Sequence, residues 1–362
     1  MDKRQLLEFI KFPLKLHRDD PLFTPELTTD LKKHFSPHKN PFFRNADVRY
    51  FLAYSGGKCV GRIASILNRR HIEFHNDSAG FFGFFDSINN KAVAAVLLET
   101  VAGQLKSCGL TIMRGPMNFS TNDECGFVVD GFQYAPVLMT PHNPPYYIDL
   151  MQSCGMGKSK DLYAYITDIP KVLPEKIDRV AQIAEKNGVC VKKVDKRRFD
   201  EGLEKFKEVY NDAWEKNWGF IPLTEDELLY LGKRLKQVIE PDTALIAEKD
   251  GEPIGFLGLI PDLNIVLRKM KGKLNPVTVL KALYYSRKIT TTRMLLLGIK
   301  ARYRNRGVDA LLYREGFKGC LKHGFTSVEF SWILEDNLPT QMLVKMIGGT
   351  HYKTFRIFER VI

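Results

Sequence analysis

Leu295-Leu-Leu-Gly-Ile-Lys-Ala-Arg-Tyr-Arg-Asn-Arg-Gly-Val-Asp-Ala-Leu-Leu312 joins an apolar run to an amphipathic one through a short basic loop. The first run reads as a strand and the second as the start of a helix. A loop at that junction aims backbone N–H groups, and the positive end of a helix dipole, at one point. Gly307 lets the backbone approach a ligand closely, and Arg302, Arg304 and Arg306 attract phosphate. A diphosphate suits such a loop, although a solvated basic turn closing a strand–helix unit accounts for the same residues equally well.

Outward from this stretch the chain repeats itself. Phe51-Leu-Ala-Tyr-Ser-Gly-Gly-Lys-Cys-Val-Gly61 aligns with Leu245-Ile-Ala-Glu-Lys-Asp-Gly-Glu-Pro-Ile-Gly255, with Ala53 on Ala247, Gly57 on Gly251 and Gly61 on Gly255. Gly109-Leu-Thr-Ile-Met113 matches Gly324-Phe-Thr-Ser-Val328, and Cys154-Gly155 with Lys160–Tyr165 matches Ile347-Gly348 with Lys353–Phe358. The three matches keep one order and lie 194, 215 and 193 residues apart, which indicates a duplication. The unequal offsets place an insertion over Asn264–Thr291 in the second copy and another near Arg114–Asn143 in the first. Each half reads helix, helix, hairpin, strand, helix, strand, helix, strand, which implies a mixed α/β sheet flanked by helices. In the second half a strand, Val189–Val194, comes first, followed by helices near Phe199–Trp214 and Thr224–Glu240. Thr224 with Glu227 is a capping-box start. A hairpin over Thr243–Asp262, a strand over Arg293–Lys300 and a helix over Gly307–His323 complete the outline. Pro170 and Pro174 break the link between halves, so the expected domains are 1–168 and 169–362, the latter carrying the insert 264–291.

Composition narrows the function classes. Hydrophobic residues make up 44% of the chain, enough for a real core and against wholesale disorder. Six scattered cysteines without a CxxC pair indicate free thiols in a reducing compartment. The acid-containing N-terminus is unlike a signal peptide, and the longest uncharged stretch, Gly131–Ile148, holds four prolines and is not a membrane span. A soluble cytoplasmic protein is the expectation. The net charge of +12 is uneven: residues 1–165 hold 19 Lys+Arg against 16 Asp+Glu, and residues 166–362 hold 35 against 26. Residues 264–291 carry seven bases and no acid, which points to a local anionic ligand or surface and not to a nucleic-acid coat. Two short helices with a turn at Gly272–Pro276 are expected there. His71-Ile-Glu73-Phe-His75 has the look of a metal pair, but the polar face of a hairpin explains it better, so no metal is expected.

Tyr303-Arg304-Asn305-Arg306-Gly307-Val308-Asp309 resembles the R/Q-x-x-G-x-G/A pyrophosphate loop of the GNAT (GCN5-related N-acetyltransferase-like) superfamily. Arg304 and Gly307 match that motif, and Asp309 departs from it. The order of elements resembles the GNAT fold in both halves. Gly80–Asp86, Arg114–Asn118 and Ser331–Asn337 are similar to a little-characterised bacterial branch of tandem GNAT-like proteins. The resemblance implies two tandem GNAT-like α/β domains, only the second with the diphosphate loop, since Phe84–Ala92 has no glycine. It implies acyl transfer from acetyl-CoA or another acyl-CoA to an amine, with no metal. The donor would contact the loop residues Arg304–Asp309, backbone groups of Leu297, Gly298 and Ile299, and Asn337. On the next strand, alternation puts Glu329 and Ser331 on one face, as candidate base and hydrogen-bond donor, beside the reading of Glu329 as an ordinary paired carboxylate. The family's acidic tyrosine is replaced by Val344, which leaves Tyr352 as the candidate phenol. The acceptor is a small-molecule or peptide amine, an acidic one among the options. Aminoacyl-tRNA or an acyl carrier protein as donor, or an inactive anion-binding protein, are the alternatives.

Overall fold

A computed structural model describes the whole chain, Met1–Ile362. In chain order the elements are α1 (Lys3–Leu16), α2 (Thr28–His34), β1 (Ala46–Ser55), β2 (Lys58–Asn68), α3 (Arg69–His75), β3 (Ala79–Ser87), α4 (Lys91–Ser107), β4 (Ile112–Gly115), β5 (Phe127–Asp130), α5 (Tyr146–Ser153) and β6 (Gly157–Asp168). They continue as α6 (Glu175–Lys186), β7 (Val189–Lys193), α7 (Phe199–Trp214), α8 (Glu225–Leu235), β8 (Ala244–Lys249), β9 (Glu252–Pro261), α9 (Asn264–Met270), α10 (Pro276–Ser286), β10 (Thr291–Ile299), α11 (Val308–Lys322), β11 (Ser327–Leu334), α12 (Leu338–Met346) and β12 (Thr350–Val361).

Two compact units form, one from Met1–Tyr163, Leu263–Arg287 and Tyr352–Ile362, the other from Ala164–Asp262 and Lys288–His351. These are not the sequence halves 1–168 and 169–362: the insert and most of β12 pack with the first unit, and the end of β6 with the second. The insert's backbone explains its allegiance. The Thr28 N–H donates to the Gly272 carbonyl at 3.2 Å, and the Asn264 side-chain amide donates to the Pro136 carbonyl at 2.9 Å. No helix is long and apolar enough to cross a membrane.

In the first unit β1, β2 and β3 run antiparallel, β3 and β4 pair in parallel, and β12 closes against β4 and β5. The single parallel pair is joined by α4, as chain geometry requires of a crossover. Helix α4 packs onto β2 where Gly61 leaves room: a Cβ there would stand 2.7 Å from Leu97. Phe82, Leu98, Val101, Leu105, Met113 and Phe358 are among the core residues. Buried Asp86 fastens α1 to the sheet. It takes hydrogen bonds from Arg62 Nε at 2.7 Å and Tyr147 at 3.0 Å and faces His17 at 3.0 Å, while Arg62 also donates to the Phe9 carbonyl. Burial alone would raise the Asp86 pKa, but Arg62 and His17 hold it below the usual carboxylate range.

The second unit repeats the scheme. β7, β8, β9 and β10 run antiparallel, β10 pairs with β11 in parallel, and α11 is the crossover. Gly255 stands where Gly61 stands in the first copy, with Leu312 of α11 at 3.1 Å from a Cβ placed there. Gly57 and Gly251 turn their hairpins at φ +72° and +82°. The capping box of Thr224 and Glu227 starts α8. The stretch expected as a hairpin around His71 is instead the helix α3, capped by Asn68 and ended by Asn76 in the left-handed conformation.

Candidate functional site

The parallel pairing of β10 with β11 covers only Thr291–Met294 against Ser327–Phe330. Beyond those residues β10 continues beside β9 to Ile299 and β11 runs on to Leu334 with no further pairing between them. A cleft of about 720 Å³, open to solvent, occupies the resulting gap. Most of its lining side chains are apolar, Leu295, Leu297, Phe330, Trp332, Leu343 and Val344 among them, but polar atoms make up nearly half of the surface they leave accessible. Trp214 closes one side. Its ring stacks on Tyr210 at 5.1 Å and lies over Gly298, where a Cβ would come within 2.1 Å of it.

Polar side chains share the lining. Asn217, Thr340 and Tyr313 line it, and none of their side-chain polar atoms hydrogen-bonds within the protein. Burial pushes the Tyr313 phenol up to about 12. Ser331 also lines the cleft, and its hydroxyl links it to the groups behind the wall. Ser331 Oγ donates to Glu329 Oε2 at 2.9 Å and accepts from Arg293 Nε at 3.0 Å. Glu329 is 0% exposed and Arg293 1%, and they form an ion pair at 3.7 Å. Glu329 is therefore a fully buried, paired carboxylate, joined to the cleft lining through Ser331. Arg293 reads in the sequence as one basic residue in an apolar strand, and nothing nearby marks it as buried. Tyr313 is the other residue that sequence reasoning passed over. Its signal is the stripe Tyr313, Gly316, Phe317, Cys320 at helical spacing, in which it is the one hydroxyl.

Strand β10 leads from the cleft into the basic loop. Gly307 begins α11 at φ +78°, and no side chain caps the helix. The first N–H groups of α11 thus have no side-chain partner. The loop's cations are partly engaged. Arg302 and Lys300 both bind Glu252, holding that carboxyl down at about 2. Arg304 donates to the Ile299 carbonyl at 3.2 Å and the Ala213 carbonyl at 2.8 Å, bracing the loop against the end of α7. The Arg306 guanidinium lies 5.8 Å from the centre of the Tyr303 ring. The room that Gly307 preserves is taken by the Val180 carbonyl of α6, 2.7 Å from where a Cβ would be. Val308 is core, Asn305 turns at φ +58°, and Asp309 in the first turn of α11 has no ion pair or hydrogen bond. Asn337 lines the cleft and caps α12 through Thr340 N. Of Leu297, Gly298 and Ile299, Leu297 alone lines the cleft. Tyr352 does not. It belongs to the first unit, edge-on to Tyr134 at 5.2 Å, because the final strand packs there.

The corresponding gap in the first unit is filled. Met117 N donates to the Phe82 carbonyl at 2.8 Å and Phe84 N to Asn118 Oδ1 at 2.7 Å. The Met117 carbonyl occupies the space beside Gly83. Asn90 caps α4 by accepting from Ala92 N and Val93 N, so that helix start offers no comparable set of open donors.

The His71 pair is structural. His71 is 3% exposed and faces Asp77 at 3.2 Å, while its ring lies tilted against that of His75, centres 4.4 Å apart. Burial pushes His71 down from 6.5 to about 4, against the pull of Asp77. Unfolded His71 therefore binds a proton near pH 6.5 that the folded chain refuses until about pH 4. This contribution to stability is complete above pH 6.5 and falls as pH drops through that window, by on the order of 3 kcal/mol. Urea unfolding at pH 7 and pH 4.5 measures it. In His71→Asn the drop is expected to shrink, and an unchanged drop would assign the acid sensitivity to another group.

No protein-family model matches the chain. A curated protein of Caulobacter vibrioides, "Bacterial ceramide synthase", is 33% identical over 99% of this chain and 95% of its own. "Protein YghO" of Escherichia coli is 31% identical over 100% of this chain and 94% of its own. Among solved structures, a tandem GNAT protein from the clavulanic acid biosynthesis pathway superposes with a TM-score of 0.58 at 12% identity, covering 99% of this chain and 96% of that one.

Proposed function

The chain belongs to the tandem-domain, GNAT-fold acyltransferase family of these bacterial relatives, and from that premise we propose that it transfers an acyl group from coenzyme A to the amine of a long-chain base. Ceramide is the amide of a fatty acid with a long-chain amino alcohol, so the Caulobacter relative's name supports that acceptor class. The observation that carries the reading is the cleft between the parted ends of β10 and β11, from which β10 runs into the uncapped start of α11. A trough with mostly apolar side chains and interspersed polar groups suits an acyl chain with a polar end, and an uncapped helix start beside the exposed Arg306 suits a diphosphate.

When bound, acyl-coenzyme A supplies the thioester carbonyl. The chain's own residues handle the proton that must leave nitrogen and the one that sulfur must gain. Ser331 Oγ takes the amine proton and passes its own to Glu329 Oε2, along the hydrogen bond already formed. Tyr313, protonated at neutral pH, gives its proton to the departing sulfur. Solvent then returns the nitrogen-derived proton to the phenol. Asn217 and Thr340 supply hydrogen bonds that orient the polar end of the substrate.

Incubation of the full chain with a long-chain acyl-CoA and a long-chain amino alcohol is expected to release free thiol and amide in equal amounts, read by thiol titration and mass spectrometry. Because Arg302 is already bound by Glu252 and Arg304 by two carbonyls, a same-fold transferase that takes its acyl group from an acyl carrier protein is the second reading. Amide formed from an acylated carrier protein with none from any acyl-CoA would favour it.

A further inference from the structure

Helix α10 is built inside out. At helical spacing its large apolar side chains share one broad arc, yet Val277, Val279, Leu280, Leu283 and Tyr284 are 62, 41, 68, 59 and 57% exposed. The one buried residue of α10 is a threonine, Thr278. Leu274 in the preceding turn is 56% exposed and extends the same apolar surface. An isolated exposed leucine is ordinary, but six large apolar side chains within eleven residues form a patch that a water-soluble surface does not otherwise keep.

The hairpin is well anchored, so its exposure is not that of a loose segment. Asn275 caps α10 in a reciprocal box with Thr278, and Pro276 opens the helix. Lys269 of α9 lies 5.4 Å from the Tyr285 ring of α10, tying the two helices together. Gly272 in the turn receives Thr28 N and Thr28 Oγ1 on its carbonyl.

Charge selects the occupant. Residues 263–287 hold six bases, Arg268, Lys269, Lys271, Lys273, Lys281 and Arg287, and no acid. A second copy docking through this face in a two-fold arrangement would bring like charges together. A nucleic acid would satisfy the bases and leave the leucines in water. Apolar side chains rimmed by lysines match the boundary of an anionic bilayer, where a helix lies in the interface plane with its apolar face buried and its bases at the head groups.

We propose that the α9–α10 hairpin is a membrane-interface anchor that binds anionic phospholipid. The inference stands apart from the acyl-transfer reading, because lipid binding is measured without substrate. The test is co-sedimentation of the full chain with vesicles of phosphatidylcholine containing one-third phosphatidylglycerol, and with phosphatidylcholine alone. The parent is expected to bind the anionic vesicles more tightly, with affinity falling as salt rises. Leu280→Glu with Leu283→Glu is expected to abolish sedimentation with both. Lys271→Gln, Lys273→Gln and Lys281→Gln together are expected to weaken anionic binding on the order of 100-fold and leave the phosphatidylcholine level unchanged. All five side chains are exposed, so unfolding midpoints should match the parent. The proposal is overturned if the parent sediments no more with anionic vesicles than without them, or if both variants bind as the parent does. It is equally overturned if light scattering shows a dimer that the leucine variant splits, with no vesicle binding by either. Retardation of RNA by the parent in place of vesicle binding would reassign the patch to nucleic acid.

Discussion

Replacing Arg293 by methionine is expected to destabilise the second unit by about 3–5 kcal/mol, because it leaves the Glu329 carboxylate buried without its cation. Glu329 is 0% exposed, so water cannot take the place of the lost guanidinium. The same change removes the Arg293 Nη2 bond to the Ser331 carbonyl at 3.1 Å. Urea denaturation measures the loss. Pairing Arg293→Met with Glu329→Leu is expected to recover much of it, since the stranded charge is then gone. A loss below about 1 kcal/mol in the single variant would mean that Glu329 finds a proton or another partner on folding. Glu329→Gln keeps shape and a hydrogen-bond acceptor for Ser331 but strands the buried Arg293 guanidinium and cannot hold the amine proton. Turnover and the unfolding midpoint should therefore both fall.

Tyr313→Phe is expected to slow acyl transfer by roughly 10²–10⁴-fold with the KM for acyl-CoA nearly unchanged. The hydroxyl makes no hydrogen bond within the protein, so its removal should leave the unfolding midpoint in place. With its pKa at about 12, the phenol stays protonated through the neutral and mildly alkaline range, and no descending limb from Tyr313 should appear there. Tyr352→Phe is the contrast, because Tyr352 belongs to the other unit, and its rate should equal the parent's. An active Tyr313→Phe would leave the thiolate to depart unaided or to a solvent proton.

The duplicated fold is legible because the repeat is written in residues whose physical duty is the same in both copies. Gly61 and Gly255 are small for one reason, the approach of a crossover helix to a strand. The strand–loop–helix stretch is legible because apolar period, glycine and helix pattern agree. Arg293 is not, since one basic residue in a strand carries no mark of its partner on β11, and alternation alone puts Glu329 on a face without saying that the face is sealed. Residues 352–362 and 263–287 read as parts of the second copy because sequence adjacency says nothing of which sheet edge a strand joins. For α10 the helical period is plain, but the pattern does not say that the apolar side is the one turned outward.

The three-segment make-up of the first unit also bears on how the protein is made. Chains emerge from the ribosome N-terminus first, and a domain built from one continuous segment can finish folding while the rest is being translated. Here the strand that closes β4 and β5, Tyr352–Ile362, follows the bulk of the second unit in the chain. Until it is made, the first unit holds an open sheet edge, the kind of edge that pairs with the wrong partner. Truncation before Tyr352 would therefore damage the unit whose first residues were translated earliest.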